Sequence, residues 1–168
     1  MARLRWCNMS KLYVDEVHSK TGSTKALEID SSGRIFTPAR PAFYAYDTTT
    51  SWQSLGSSHE VVMPSTDYNV GSHYSTSTGR FTAPVDGLYN FSGKLYVNNT
   101  STPSSFYIST NGAGILRHFY ISTENAAGDF SIAFSEVREL TSGQYVSIIG
   151  VLGEYYKAYS TFSGYLIG

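Results

Sequence analysis

A chain of 168 residues is long enough for one domain with a real core plus a short appendage, and its net charge of −1, with no basic run, argues against a nucleic-acid partner. No apolar stretch approaches the ~18 residues of a membrane span, and no apolar run follows Arg3 and Arg5 to make a secretory leader, so no membrane insertion is expected. A single cysteine, Cys7, rules out a disulfide within the chain and a paired-cysteine metal site.

Charged residues make up 15% of the chain and aromatics another 15%, with 14 Tyr. Low charge with many Tyr, Ser, Thr and Gly fits an all-β protein whose outer faces carry hydroxyls. Such faces also suit subunit contact, because interface cores are rich in aromatics and poor in charge. The same tyrosines could instead pack within one subunit.

Residues 1–40 differ from the rest. Arg3, Arg5 and Lys11, near Trp6, read as a solvated arm, and Met9 is a second candidate start. Lys11–Val17 and Ala26–Asp30 alternate as short strands. Ser32-Gly33 makes a turn into Arg34–Thr37, and Pro38 and Pro41 punctuate the chain. These strands are too short and too few to hold a core without partners.

About ten short strands are expected over 41–168. Ala42–Tyr46 comes first. Asp47–Ser58 reads as a polar loop carrying Trp52, and Glu60–Met63 as the second strand. Thr78-Gly79 and Asp86-Gly87 are turns, and Pro84 suits a strand end because it cannot donate to a ladder. Phe81 and Ala83 share one face. In Leu88–Val97 the set Tyr89, Phe91, Gly93, Leu95 and Val97 should face the core. Asn98–Ser105 reads as a loop. Phe106–Thr110 pairs with Ile115–Ser122 through the Asn111-Gly112 turn. Phe130–Ser135, Tyr145–Val151 and Thr161–Gly168 complete the set. Many evenly spaced strands without helical periodicity predict an antiparallel sandwich.

Several spacings in this region resemble the C1q/tumour-necrosis-factor-like jelly-roll family. They are Asn69-x-Gly71-x-x-Tyr74, then Tyr74 with Thr78-Gly79 and Phe81, then Pro84-x-x-Gly87-x-Tyr89-x-Phe91, and finally Phe162-Ser163-Gly164-Tyr165-Leu166. Phe43 stands where the family has an aromatic in its first strand. Gly143-Gln144 departs from a common Gly-Asp. The resemblance implies a jelly-roll knob over 41–168, a homotrimer with the C-terminus near its axis, and an architectural role for these residues. It names no ligand. No collagen repeat precedes the domain.

The segments Lys11–Val17 and Ala26–Ile35 resemble the leader of tailed-phage virion fibre and appendage proteins. This implies that residues 1–40 attach the protein to a particle or trimerise it, through Leu12, Tyr13, Val14, Val17, Leu27 and Ile29. Other virion structural proteins would then be partners, and the location would be the virion, with an extracellular or cell-surface location as the alternative.

No catalytic constellation stands out. His18, His59, His73 and His118 lack metal-ligand spacing. Asp47, Asp67, Asp86 and Asp129 sit in turn contexts, where bonding to their own backbone is expected before calcium. Asn111-Gly112-Ala113-Gly114 lacks the strand-to-helix setting of a phosphate loop. No cofactor, no metal and no enzymatic activity are expected. Loops carry the binding candidates: Trp52 and Gln53, Asn98 and Asn99, Tyr155 and Tyr156. Rings with amides suit a host-surface glycan or protein. Tyr155 and Tyr156 fit burial at a subunit seam better, and Trp52 fits either role.

The reading is a trimeric structural or adhesion protein of a phage virion, of fibre, decoration or cement type. A bacterial carbohydrate-binding module is the first alternative, and a glycan-cleaving enzyme on the same fold the second.

Overall fold

The computed structural model describes residues 14–18, 20, 22–23, 25–56, 58–98, 103–113, 118–121 and 128–168. It divides into two units, Met1–Ala39 and Arg40–Gly168.

The first unit is a three-stranded antiparallel sheet, β1 (Glu16–His18), β2 (Lys25–Ile29) and β3 (Ile35–Phe36), with β2 in the middle. Val17 faces Leu27 and Ile29 faces Ile35, which gives one face an aliphatic row. Glu16 faces Glu28 across the ladder, and Lys25 joins them at 2.6 and 3.1 Å. That ammonium offsets the repulsion of two carboxylates set opposite each other. None of the unit's described residues is buried.

The second unit is a sandwich of antiparallel strands. Its elements are β4 (Ala42–Tyr46), β5 (Trp52–Ser54), β6 (Ser65–Val70), β7 (Tyr74–Ser75), β8 (Arg80–Thr82), β9 (Gly87–Asn98), β10 (Ser104–Thr110), β11 (His118–Ile121), β12 (Asp129–Leu140), β13 (Tyr145–Leu152) and β14 (Glu154–Leu166). One sheet has the order β12-β9-β14-β4-β6, with β5 pairing the start of β14. The other has the order β11-β10-β13-β8-β7. This is the antiparallel all-β sandwich that the strand pattern predicts and the jelly roll that the resemblance implies.

Period-two alternation builds the core. Tyr89, Phe91, Leu95 and Val97 of β9 point inward and are buried, as are Phe81 and Ala83. Phe43 stacks on Tyr74 at 4.7 Å and on Phe81 at 5.2 Å, and meets Phe162 edge-on at 5.1 Å. The Asn69 side chain explains its own spacing to Tyr74. Its amide donates to the Tyr74 carbonyl (2.8 Å) and its Oδ1 accepts from the Tyr74 N–H (3.1 Å). That clamp closes a turn in which Gly71 and Ser72 both have positive φ, 77° and 59°. The Tyr89 hydroxyl donates to the Val85 carbonyl (2.8 Å) across the turn that holds Pro84.

Three expectations are corrected. Glu60–Met63 forms no strand: Glu60 makes a single bridge to Ile149, and the Val61 N–H bonds the Ile148 carbonyl. This stretch crosses from one sheet to the other, and only Val61 and Met63 are buried as a strand's inward residues would be. Asp47–Ser58 is not wholly loop, because Trp52–Ser54 pairs with β14. Tyr155 and Tyr156 lie on a strand for the same reason.

Candidate functional site

Strand β5 has three residues, and its register decides what stands on each side of the sheet. Trp52 faces Tyr156, Gln53 faces Tyr155 and Ser54 faces Glu154. Cross-strand partners share a face and successive residues alternate. Trp52 and Tyr156 therefore stand outside the sandwich, while Gln53 and Tyr155 share the opposite face, with Tyr155 buried and Gln53 exposed at the sheet's edge. The pleat divides residues that stand side by side in sequence into two surfaces.

On the outer surface Trp52 lies 6.0 Å from Tyr96 and 5.2 Å from Tyr156. A bulge in β14 adds a fourth ring. Tyr156 faces Tyr96 and Thr161 faces Lys94, so residues 157–160 stand opposite Leu95 alone. Ser160 ties the bulge down: its hydroxyl donates to the Tyr156 carbonyl (2.8 Å) and accepts from the Tyr96 N–H (3.1 Å). Tyr159 is thereby laid edge-on to Tyr96 at 5.3 Å and against Tyr156 at 4.9 Å, and stays 56% exposed.

The four rings continue into a broad charge-poor face. Register places Tyr68, Tyr44, Ser163, Ser92 and Ser135 in one row across five strands. The next row is Ser65, Tyr46, Thr161, Lys94 and Ala133, and another is Val70, Ala42, Tyr165, Asn90 and Val137. Asp129, Glu139 and Glu154 stand at the two ends, and Lys94 is the charged residue within these rows.

On the inner surface Gln53 and Tyr155 open onto a cleft of about 390 Å³, lined also by Ser54, His59, Glu60, Val61, Val62, Pro64 and Lys157. Tyr155 is 3% exposed as a residue, but its hydroxyl is not among the buried side-chain atoms without a partner, of which Asp47 Oδ2 is the one among the described residues. Its hydroxyl pKa is pushed up to about 12, by burial and then by the Asp47 charge. Asp47 is buried too. Its Oδ1 accepts from the Thr49 N–H (2.8 Å), and its Oδ2 lacks a hydrogen bond and meets Lys157 Nζ at 3.4 Å. Burial pushes its carboxyl upward, but Thr49 and Lys157 outweigh this and hold it below the usual range. Glu60 is held by Arg80 (2.6 Å) and by the Ser147 hydroxyl (3.1 Å).

Of the residues expected to bind, Trp52 and Tyr156 come together outside, and Gln53 and Tyr155 come together inside. Asn98 ends β9 opposite Glu154 and Asp129, and its carbonyl accepts from Ser104 (2.8 Å). Asn99 lies outside the described residues. So do Leu12 and Tyr13, while Val14 precedes β1 and Val17, Leu27 and Ile29 form the aliphatic row of the first unit. Sequence reading missed Tyr96 and Tyr159 outside and His59 and Glu60 inside. Tyr96 was within reach, because it continues the outward alternation of β9. No group of three or more His, Cys, Asp or Glu among the described residues could hold a metal ion.

The profile of the family described as "C1q domain" matches residues 42–167. Among solved structures the chain is similar to the globular domain of zebrafish complement 1qA, with TM-score 0.61 and 19% identity over 76% of this chain and 98% of that one. It is similar to Eiger TNF from S. frugiperda, with TM-score 0.54 and 15% identity over 77% and 94%. It is also similar to murine APRIL, with TM-score 0.55 and 13% identity over 76% and 99%. No curated protein matches the sequence.

Proposed function

The chain belongs to the C1q domain family across residues 42–167, and on that premise we propose that it works as a non-enzymatic homotrimer whose subunits meet over the outer face of the six-stranded sheet. Domains of this family are typically trimeric and act in binding. The observation that carries the seam is the run of tyrosines and hydroxyls across that face with Lys94 as its inner charge. Desolvating Ser and Tyr costs little once they pair, whereas desolvating unpaired charges costs much more.

Residues 1–40 serve in this reading as the arm that attaches the trimer to a phage particle, with the knob facing outward as a fibre, decoration or cement protein. The support is the leader-like sequence and the aliphatic row Val17, Leu27, Ile29 and Ile35, a face that gains from being covered. A bacterial adhesion or carbohydrate-binding module is the second reading, favoured by the cleft beside Tyr155.

Light scattering on the full chain tests the assembly. The expected mass is about three times the 18.5 kDa of one chain. A monomer at micromolar concentration overturns the seam. Incorporation into particles that is lost on deleting residues 1–40, with the knob still trimeric, supports the arm. Retention of the deleted protein on particles excludes it.

A further inference from the structure

The cleft on the inner side of β5 has features of a binding site rather than a packing gap. Its volume of about 390 Å³ falls within the range of small-molecule pockets. The Tyr155 ring is buried, but its hydroxyl is not a sealed polar atom as Asp47 Oδ2 is, so the phenol presents its polar end to this cleft.

The chemistry of the lining is mixed and nearly neutral. Glu60 is already engaged by Arg80 and Ser147, and Lys157 is matched by the buried Asp47. One contact to Asp47 leaves the Lys157 ammonium two further hydrogens to donate. The Gln53 amide offers both donor and acceptor. His59 Nδ1 is engaged by the Gly56 carbonyl (2.6 Å), so its Nε2 is the acceptor in the neutral ring. Val62 and Pro64 add an apolar wall. Donors and acceptors around one apolar strip match a ring that has hydroxyls at its rim and C–H groups on its face.

We propose that this cleft binds a single neutral pyranose residue, with Gln53, Tyr155, His59 and Lys157 bonding its hydroxyls and Val62 and Pro64 against its face. The proposal rests on the binding-module reading of the knob and gives that reading a ligand class. The ring could be a free monosaccharide or the terminal unit of a surface glycan.

The test is titration of the full chain, followed by saturation-transfer NMR, with the methyl glycosides of glucose, galactose, mannose and N-acetylglucosamine. Affinity on the order of millimolar is expected for at least one of them, since a lone ring offers few atoms. Tyr155→Phe keeps the ring packing and Gln53→Ala lies at an exposed edge, so both should fold, as circular dichroism would verify. Each should weaken binding about tenfold, the loss of one net hydrogen bond. A parallel titration with an oligosaccharide ending in the same sugar separates the sources: tighter binding points to a glycan terminus, equal or weaker binding to a free sugar. No binding by any of the four overturns the proposal, and so does binding that both variants leave intact. Mass measured on the same samples keeps the two readings apart: a trimer without sugar binding sinks the cleft alone, and a monomer that binds sinks the seam alone.

Discussion

Gly164 faces Phe91 across the β14–β9 ladder, and a Cβ on Gly164 would stand 2.6 Å from the edge of the Phe91 ring. The same Cβ would meet the Phe43 ring at 2.8 Å from the other side. Both rings are fully buried and packed against Phe81 and Phe162, so neither can swing away. Gly164→Ala is therefore expected to destabilise by about 1–3 kcal/mol through overpacking. Thermal melting should show a drop of at least about 2 °C for a protein of this size. An unchanged midpoint would mean that the aromatic core yields more readily than its packing implies.

The value of that glycine was visible in the spacing Phe162-Ser163-Gly164-Tyr165, but its cause was not. Sequence shows one period; it does not show which ring faces which gap. The central strands were legible because their own residues alternate: β4 has the expected bounds, and β9 buries Tyr89, Phe91, Leu95 and Val97. Asn111-Gly112 was legible as a turn because both residues must take positive φ, and they do, at 54° and 70°. Strand β5 was not, because Trp52-Gln53-Ser54 carries no strand signal and gains its order only by pairing with β14. The grouping of Trp52 with Tyr156, and of Gln53 with Tyr155, follows from that pairing alone. Tyr159 reaches the outer cluster through a bulge, which depends on a mismatch between two strands far apart in sequence.

Ser163 is the residue at which the seam is tested most directly. It sits mid-face between Tyr44 and Ser92, and its hydroxyl lies 3.0 Å from that of Ser92. It is half-buried and points away from the core, so Ser163→Glu should leave the knob folded. Placed in a desolvated seam, the carboxylate would lose its water without gaining a partner. The expected result is a shift from trimer to monomer in light scattering, with an unchanged far-ultraviolet spectrum. A trimer that survives the change places the seam on another face.

His73 gives the knob a predictable response to mild acid. Burial alone lowers its pKa below the ordinary 6.5, and its ring packs edge-on to Phe81 at 6.3 Å. The unfolded chain then takes up the proton more readily than the folded one. The stability contributed by the neutral ring is full above about pH 6.5 and falls as pH drops toward the lower folded value. Asp47 works in a different window. Its carboxyl is held below its ordinary 3.8, so its contribution is intact at pH 5 and is lost only as pH falls below that value. Melting between pH 7.5 and 5 should show a decline that His73→Gln flattens. A decline of equal slope in the variant would assign the effect to other groups.

Arg138 ties the two sheets together outside the aromatic core. It starts on β12 of one sheet and donates to the Ile108 carbonyl (2.9 Å) and the Thr110 hydroxyl (3.0 Å) on β10 of the other. Its Nε and Nη2 also bond Glu136 at 3.0 and 2.6 Å, and the two side chains are only 15% and 10% exposed. An ion pair this well covered has already met its desolvation cost, so removing one partner strands the other. Arg138→Met is expected to cost about 3–5 kcal/mol, because Glu136 is left in its covered position without its partner. The double variant Arg138→Met with Glu136→Leu should recover much of that loss, since apolar groups of similar size can replace a buried pair at little cost. Urea unfolding of the single and double variants measures both numbers. Equal losses in the two would show that the bonds to Ile108 and Thr110, and not the charge on Glu136, account for what Arg138 contributes.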